Sequence, residues 1–245
     1  MTATDSGAPL VSCVMPTRGR TVWALQAVDL FLRQDYPNCE FVIVEDGEPS
    51  LADHLPSDPR LRLDSTGGEH SVGALRNRGC EQARGEIIVC WDDDDWFGPE
   101  RVSRQVEPIL AGRADVAGLT GFSWLELGSW QAWEIRVEHR ERLLFHGVHC
   151  GAIAYRAGLF RQVRYADMHH GEDLDFITRL VDDAGARLEP VEAHAFFVYV
   201  RHSSNTWRAE SRYGGTDSWQ ATSLPGLSAY DLAFLRDRAT AGAAG

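Results

Sequence analysis

Glu86-Ile87-Ile88-Val89-Cys90-Trp91-Asp92-Asp93-Asp94-Asp95-Trp96 decides how the rest of the chain is read. Ile87 to Trp91 is continuously apolar and rich in β-branched residues, the pattern of a short strand buried on both faces of a parallel sheet. Four carboxylates follow without a break. In a packed core each would carry a large desolvation cost, so the run belongs where the strand leaves the sheet. In open α/β sheets that edge, beyond the carboxyl ends of the strands, is where ligands bind. Clustered carboxylates there suit a hard divalent cation, and the cation suits a diphosphate. A solvated acidic loop capping the next helix would use the same residues, since acidic first turns are common.

The flanking segments supply a sheet for this strand. Leu10 to Met15 reads as the first strand, stopped by Pro16, with a turn over Thr17-Arg18-Gly19-Arg20. Ala24, Leu25, Val28, Phe31 and Leu32 then recur at helical spacing between Thr21 and Gln34. Phe41 to Val44 is a second buried strand that ends in Glu45-Asp46-Gly47. Strand, helix, strand makes a βαβ unit, so the sheet is expected to be parallel here. Residues 48–59 form a loop, and Arg60 to Leu63 an edge strand. Val72, Leu75, Gly79 and Ala83 mark one helix face, and another helix begins near Pro99, a favourable first-turn residue.

The pattern changes after residue 114. Val116 to Leu127 and Trp130 to Val137 read as two strands of a hairpin joined at Gly128-Ser129. Cys150 to Tyr155 reads as a strand whose small residues imply close approach of another group. Glu172 to Ala184 is a helix with Leu174, Ile177, Leu180, Val181 and Ala184 inward, and Phe196 to Val200 a last strand. Residues 203–226, rich in Ser, Gly, Thr and Trp, read as a mobile loop. Leu227 to Ala239 closes the chain as a helix. The expected organisation is a disordered tail over 1–9 and a single domain over 10–245. A soft boundary near residue 114 separates a nucleotide-type half, 10–114, from a mixed half, 115–226, and 227–245 is a terminal helix and tail.

Composition removes several functions. A chain of 245 residues can bury a sizeable core. Its net charge of −12 argues against nonspecific binding to nucleic acid or anionic membrane. All 24 basic residues are Arg, which excludes a Schiff-base lysine, a P-loop lysine and a kinase strand lysine. The five cysteines are odd in number and show no C-x-x-C spacing, which argues against a disulfide framework and a zinc site and fits the reducing cytoplasm. The first nine residues have no apolar core, so no signal peptide is expected, and no apolar stretch of about 18 residues offers a membrane span.

Three neighbouring strand ends thus present acid or turn chemistry on one edge: Pro16-Thr17-Arg18, Glu45-Asp46-Gly47 and Asp92 to Asp95. With them come Gly73-x-x-Arg76-Asn77-x-Gly79, the lead-in Ala83-Arg84-Gly85-Glu86, Gly171-Glu172-Asp173 with Arg179 on the same helix, and Arg201-His202-Ser203-Ser204-Asn205-Thr206. In this order the chain resembles an inverting GT-A glycosyltransferase of family 2 over roughly residues 10–207. The resemblance implies a Rossmann-like α/β fold. Its central sheet would be mostly parallel, with helices on both faces and a smaller mixed or antiparallel acceptor-side segment.

The resemblance also implies roles. Pro16, Thr17 and Arg20 would line the base pocket, and Asp46 would accept a hydrogen bond from the nucleobase, usually uracil, whose imide N–H suits a carboxylate. Arg76 would lie near the nucleoside and diphosphate. Asp92 aligns with the ribose ligand and Asp94 with the metal ligand, Asp93 being grouped with the donor-contacting residues; the unbroken run leaves this register open by one residue. Mn2+ or Mg2+ would bridge the phosphates of a UDP-sugar and stabilise the leaving diphosphate. Asp173 would be the general base for an acceptor hydroxyl, and Glu172 would orient the acceptor or donor; the same pair at a helix start would also complement the helix dipole. His202 would complete the metal or diphosphate shell, though a lone His is as readily structural.

The acceptor, a small molecule, glycan or peptide, is not specified by any motif. Trp96, Trp124, Trp130, Trp133 and Trp207 are candidates for stacking on sugar, with core packing the expectation for at least half. His169 and His170 read as exposed loop residues, and His146 and His149 carry no motif. No Gln-x-x-Arg-Trp motif marks a processive polymer synthase. A non-catalytic nucleotide-sugar-binding protein is the alternative. A sugar nucleotidyltransferase fits less well, because the first loop is Pro-Thr-Arg-Gly-Arg rather than Gly-rich and lysine is absent.

Overall fold

A computed structural model of the chain describes residues 7–205 and 214–242. Thr206 and Trp207 of the expectations above, most of the tail, and part of the 203–226 loop lie outside the described residues.

The strands in chain order are β1 (Val11–Thr17), β2 (Cys39–Asp46), β3 (Leu61–Thr66), β4 (Ile87–Cys90), β5 (Trp96–Phe97), β6 (Val116–Thr120), β7 (Ser123–Glu126), β8 (Gln131–Ile135), β9 (Ile153–Arg156), β10 (Leu188–Glu192), β11 (Phe197–Arg201) and β12 (Trp219–Ala221). The helices are α1 (Thr21–Leu32), α2 (Val72–Gln82), α3 (Arg101–Leu110), α4 (Arg140–Leu143), α5 (Ala157–Phe160), α6 (Glu172–Thr178) and α7 (Ala229–Gly242). A seven-stranded sheet runs β10-β6-β9-β4-β1-β2-β3, and a five-stranded sheet runs β12-β8-β7-β11-β5. In the larger sheet only β9 is antiparallel to its neighbours.

Alternation along the central strands explains helices on both faces. Val11, Cys13, Met15, Ile87 and Val89 pack with Ala24, Val28 and Phe31 of α1 and with Val102, Val106 and Ile109 of α3. Val14, Ile88 and Cys90 point the other way, onto Leu75 of α2 and Phe176 and Ile177 of α6. Each such fully buried side chain stabilises the fold by roughly 1.5–3 kcal/mol relative to exposure. At Gly79 a Cβ would overlap the Val14 side chain, so α2 lies directly on β1 and β2.

Several elements depart from the sequence reading. Pro16 does not stop β1, which pairs with β2 through Pro16↔Val44 and Thr17↔Glu45. The other neighbour, β4, pairs only as far as Val14↔Cys90. Val14 O accepts from Trp91 N–H, and Pro16, two residues on, faces that same side, where no ladder bond is lost. The expected single strand over Val116 to Leu127 is two strands in different sheets, bent at Gly121, whose φ is +63°. Leu174 is not inward but 48% exposed; Phe176 takes the core position of α6, which continues as a π-helical turn over Arg179–Asp183. Cys150 and Gly151 precede β9 in a turn, and β10 and β12 had no distinct signal. Chain beyond residue 114 supplies three strands of the larger sheet. Among the described residues no helix is long and apolar enough to cross a membrane.

Candidate active site

Parallel pairing of β1 with both β2 and β4 brings their carboxyl ends together. They open on a cavity of about 680 Å³ lined on that edge by Pro16, Thr17, Arg18, Arg20, Asp92 and Asp94, and across from it by Glu172 and Asp173.

The aspartate run is folded into the protein rather than solvated: Asp93, Asp94 and Asp95 are 1%, 8% and 4% exposed. Asp92 and Asp94 reach the cavity. Asp93 turns beneath it, where Thr17 Oγ1 donates to Oδ2 at 2.6 Å and Arg20 pairs with Oδ1 at 2.6 Å. Expected among the donor-contacting groups, Asp93 is instead the counter-charge that holds Arg20. Asp95 faces the interior and accepts from Val200 N–H of β11 at 3.0 Å, tying the run to the second sheet. Burial pushes the carboxyl pKa values of Asp93 and Asp95 up. Burial also opposes ionisation of Asp94, but Arg20 at 2.5 Å, His202 and Asn205 outweigh it and hold that carboxyl at about 2. Alternate carboxylates of the run, Asp92 and Asp94, thus line the cavity.

Asp46 is fully buried at the end of β2. Thr66 Oγ1 and His70 Nδ1 donate to Oδ1, and the His70 backbone N–H and the Arg18 guanidinium to Oδ2. Burial favours the neutral acid, yet these bonds dominate and hold the carboxyl well below its usual range. Arg18 and His70, not Asp46, line the cavity, so the expected base-reading carboxylate lies under an arginine.

Arg76 spans the site. From α2 its Nε donates to Glu172 Oε1 at 3.1 Å and its NH2 to Asp92 Oδ1 at 2.8 Å. Glu172 is buried at the start of α6, which raises its pKa against the pull of Arg76. Gly151 lies between the two acidic groups: a Cβ there would sit 3.2 Å from Asp173 Oδ2 and 3.3 Å from Asp92 Oδ2. Both carboxylates therefore border the space beside Gly151, which a side chain at that position would crowd, and both open on the cavity. The small residues of 150–152 were a legible signal of this approach. The neighbouring Cys150 thiol donates to Asp173 Oδ2 at 3.1 Å, and burial first, then the Asp173 charge, pushes its own pKa well up. No motif pointed to Cys150 or His70, and Arg18 was read only as part of the Pro16-Thr17-Arg18 strand end; their roles depend on contacts distant in sequence.

His202 stacks on Trp23 with ring centroids 4.5 Å apart, and its Nε2 lies 3.3 Å from Asp94 Oδ2. Ser204 N–H lies 3.3 Å from Nδ1, and Nε2 meets both Asp94 Oδ2 and the Asn205 amide nitrogen, each at 3.3 Å. Among the described residues no group of three or more His, Cys, Asp or Glu side chains is arranged to hold a metal ion. The donor set fits Mg2+ or Mn2+ only as a cation completed by a diphosphate, which needs one or two protein ligands. Asp94 is placed for that, with His202 Nε2 3.3 Å away.

Of the tryptophans considered for sugar stacking, Trp124 lines the cavity. Trp96 is 5% exposed in the core, and Trp130 and Trp133 belong to the β7–β8 hairpin region. His169, His170 and His149 also line the cavity. Burial lowers the His149 pKa and keeps its ring neutral.

Residues 12–164 match the family described as Glycosyl transferase family 2. Over 100 residues the chain is 38% identical to the putative colanic acid biosynthesis glycosyl transferase WcaA of Escherichia coli (strain K12), covering 39% of this chain and 36% of that protein. An uncharacterized glycosyltransferase of Haemophilus influenzae is 28% identical over 107 residues, 42% of this chain and 43% of its own length. The chain thus spans less than half of these relatives. A longer match, 24% identical, covers 74% of this chain and 71% of the uncharacterized glycosyltransferase YwdF of Bacillus subtilis (strain 168). Among solved structures, S. aureus TarS 1-349 in complex with UDP-GlcNAc superposes with a TM-score of 0.61 at 15% identity, over 80% of this chain and 60% of that one. The same protein with UDP gives 0.59 at 17% identity, over 78% and 60%. At such identity the likeness is one of fold, the GT-A arrangement.

Proposed function

The chain belongs to glycosyltransferase family 2, and on that premise we propose that it moves a sugar from a UDP-sugar to an acceptor hydroxyl with inversion at the anomeric carbon. The observation that carries this reading is the apposition of Asp92 and Asp173 at Gly151, with Arg76 joining Asp92 to Glu172. The cavity that both carboxylates line suits a sugar held between a donor edge and a base. The complexes of TarS with UDP and UDP-GlcNAc support a uridine donor on the same fold.

On this reading the base enters between Pro16, Thr17 and His70, and Arg18 swings off Asp46 to let an imide N–H take its place. Asp92 holds the ribose. Arg20, fixed by Asp93 and Asp94, and Arg76 set positive charge beside the diphosphate. A divalent cation on Asp94, with His202 beside it, would offset charge on the leaving diphosphate. Asp173 takes the proton of the acceptor hydroxyl as its oxygen attacks the anomeric carbon and the bond to the diphosphate oxygen breaks. The Cys150 thiol donates to Asp173 Oδ2 and the Leu174 backbone N–H to Oδ1, which together fix the orientation of the carboxylate. Glu172, held by Arg76, fixes the start of α6 and with it Asp173. Five free thiols accord with a reducing cytoplasm as the place of reaction.

Calorimetric titration with UDP, GDP and ADP, with and without Mn2+, tests the donor. The expected result is UDP binding that strengthens with the ion. GDP binding instead would overturn the donor assignment, and no diphosphate binding to folded protein would overturn the reading as a whole. Asp173→Asn is expected to slow transfer by about 10²–10⁴-fold, the usual worth of a general base, with UDP affinity unchanged. Unchanged transfer would remove Asp173 as base, and a wild type that binds UDP yet moves no sugar would be the non-catalytic binder.

A further inference from the structure

The cavity has two unlike halves. Among its described lining residues every arginine, Arg18, Arg20 and Arg76, sits on the donor edge, as do Asp92 and Asp94. Beyond Asp173 the wall turns largely apolar, with His169 and His170 of the loop before α6 also lining the cavity. Leu143, Leu144 and Phe145 come from α4 and the turn after it, Trp124 and Tyr199 from adjacent strands of the smaller sheet, and Leu174 from α6. Trp124 and Tyr199 pack with ring centroids 4.7 Å apart, and His149 lies against Tyr199 at 4.9 Å. Its neutral ring adds no charge to this wall.

Leu174 is the telling residue. It follows the proposed base directly, lies on a helix whose core positions are taken by Phe176 and Ile177, and is 48% exposed. An exposed leucine is unremarkable alone, but this one continues an apolar surface into a concave site. A glycan laid against that wall would lose water from its hydroxyls and regain few hydrogen bonds, a net cost for each buried polar group. An apolar body would lose only ordered water. We propose that the acceptor is a hydroxyl carried on an apolar body, alkyl or aromatic, and that Leu143, Phe145, Leu174, Trp124 and Tyr199 select it over an unsubstituted sugar. This rests on Asp173 being the base of the transfer reaction.

The test is binding of three matched probes, methyl, hexyl and phenyl β-D-glucopyranoside, which share their hydroxyls and differ in the apolar group. Titrations are run on the full chain alone and with UDP and Mn2+. Hexyl or phenyl glucoside is expected to bind at least ten-fold tighter than the methyl compound; a hexyl preference marks an alkyl acceptor and a phenyl preference an aromatic one. Leu174→Asn, at a surface position that folding does not depend on, is expected to remove at least five-fold of that preference and leave UDP affinity within two-fold. Equal binding of all three probes, no binding of any, or a preference that Leu174→Asn does not reduce would overturn the proposal. Failure of UDP to bind would instead count against the donor assignment, and the probe series without UDP would still decide the acceptor wall.

Discussion

At the scale of single residues, the site is a set of neighbouring carboxylates whose charges depend on one another and on the groups each one meets. Adjacent aspartates acquire different duties because successive side chains face different surroundings: Asp92 and Asp94 the cavity, Asp93 an arginine and a threonine, Asp95 a backbone N–H. Asp46 illustrates the consequence for stability. Its folded pKa lies below the unfolded value of about 4, so its contribution is complete above that range and lost as pH falls through the lower folded value. Wild type should therefore lose more stability than Asp46→Asn between pH 7 and pH 3, read as the shift in urea midpoint. Parallel losses would mean that the contacts from Thr66, His70 and Arg18 do not favour the ionised form.

Among the elements, α2 connects core to site. Its N-cap Ser71 accepts from Ala74 N–H, Gly79 lets it lie on β1 and β2, and Arg76 on the same helix then reaches both Asp92 and Glu172. Gly79→Val would force β-branched atoms against Val14 and Val44 and lift the helix. Overpacking of this type costs about 1–3 kcal/mol. The expected outcome is a lower urea midpoint together with weaker UDP binding, since Arg76 moves with its helix. A loss of stability with UDP affinity intact would mean that Arg76 is placed independently of the packing at Gly79. On the opposite face α7 is fastened to α1 by Asp231, which accepts from Arg33 at 2.6 and 3.1 Å and from Gln26 at 3.2 Å.

At the scale of the whole molecule, the two sheets share one core. Phe97, Leu125, Phe197 and Val198 of the smaller sheet belong to the same buried cluster as Met15, Phe41 and Trp91. Phe97 packs on Trp91 at 4.7 Å and on Phe197 at 5.1 Å, so the aspartate run is flanked by an aromatic bridge between sheets. Thermal unfolding should be a single transition, with far-UV ellipticity and tryptophan fluorescence changing together, and UDP should raise its midpoint by mass action. Separate transitions by the two probes would show that the smaller sheet unfolds on its own.

Local pattern was enough for much of this. Continuous apolar runs marked β2 and β4, helical spacing marked α1 and α2, and acidic strand ends marked the edge where a ligand binds, because these signals come from a few consecutive residues and the solvent they avoid. Gly171-Glu172-Asp173 and the small residues of 150–152 were likewise visible before any contact was known. What neighbours in space decide was not. The bend at Gly121 sends one apolar run into two sheets, and Leu174 faces a cavity that other segments enclose. Arg18 covers Asp46, and the aspartates divide their work only once β1, α2 and β11 surround them. Side-chain direction after a strand end depends on which distant groups satisfy each charge, and that is fixed by tertiary packing rather than by order along the chain.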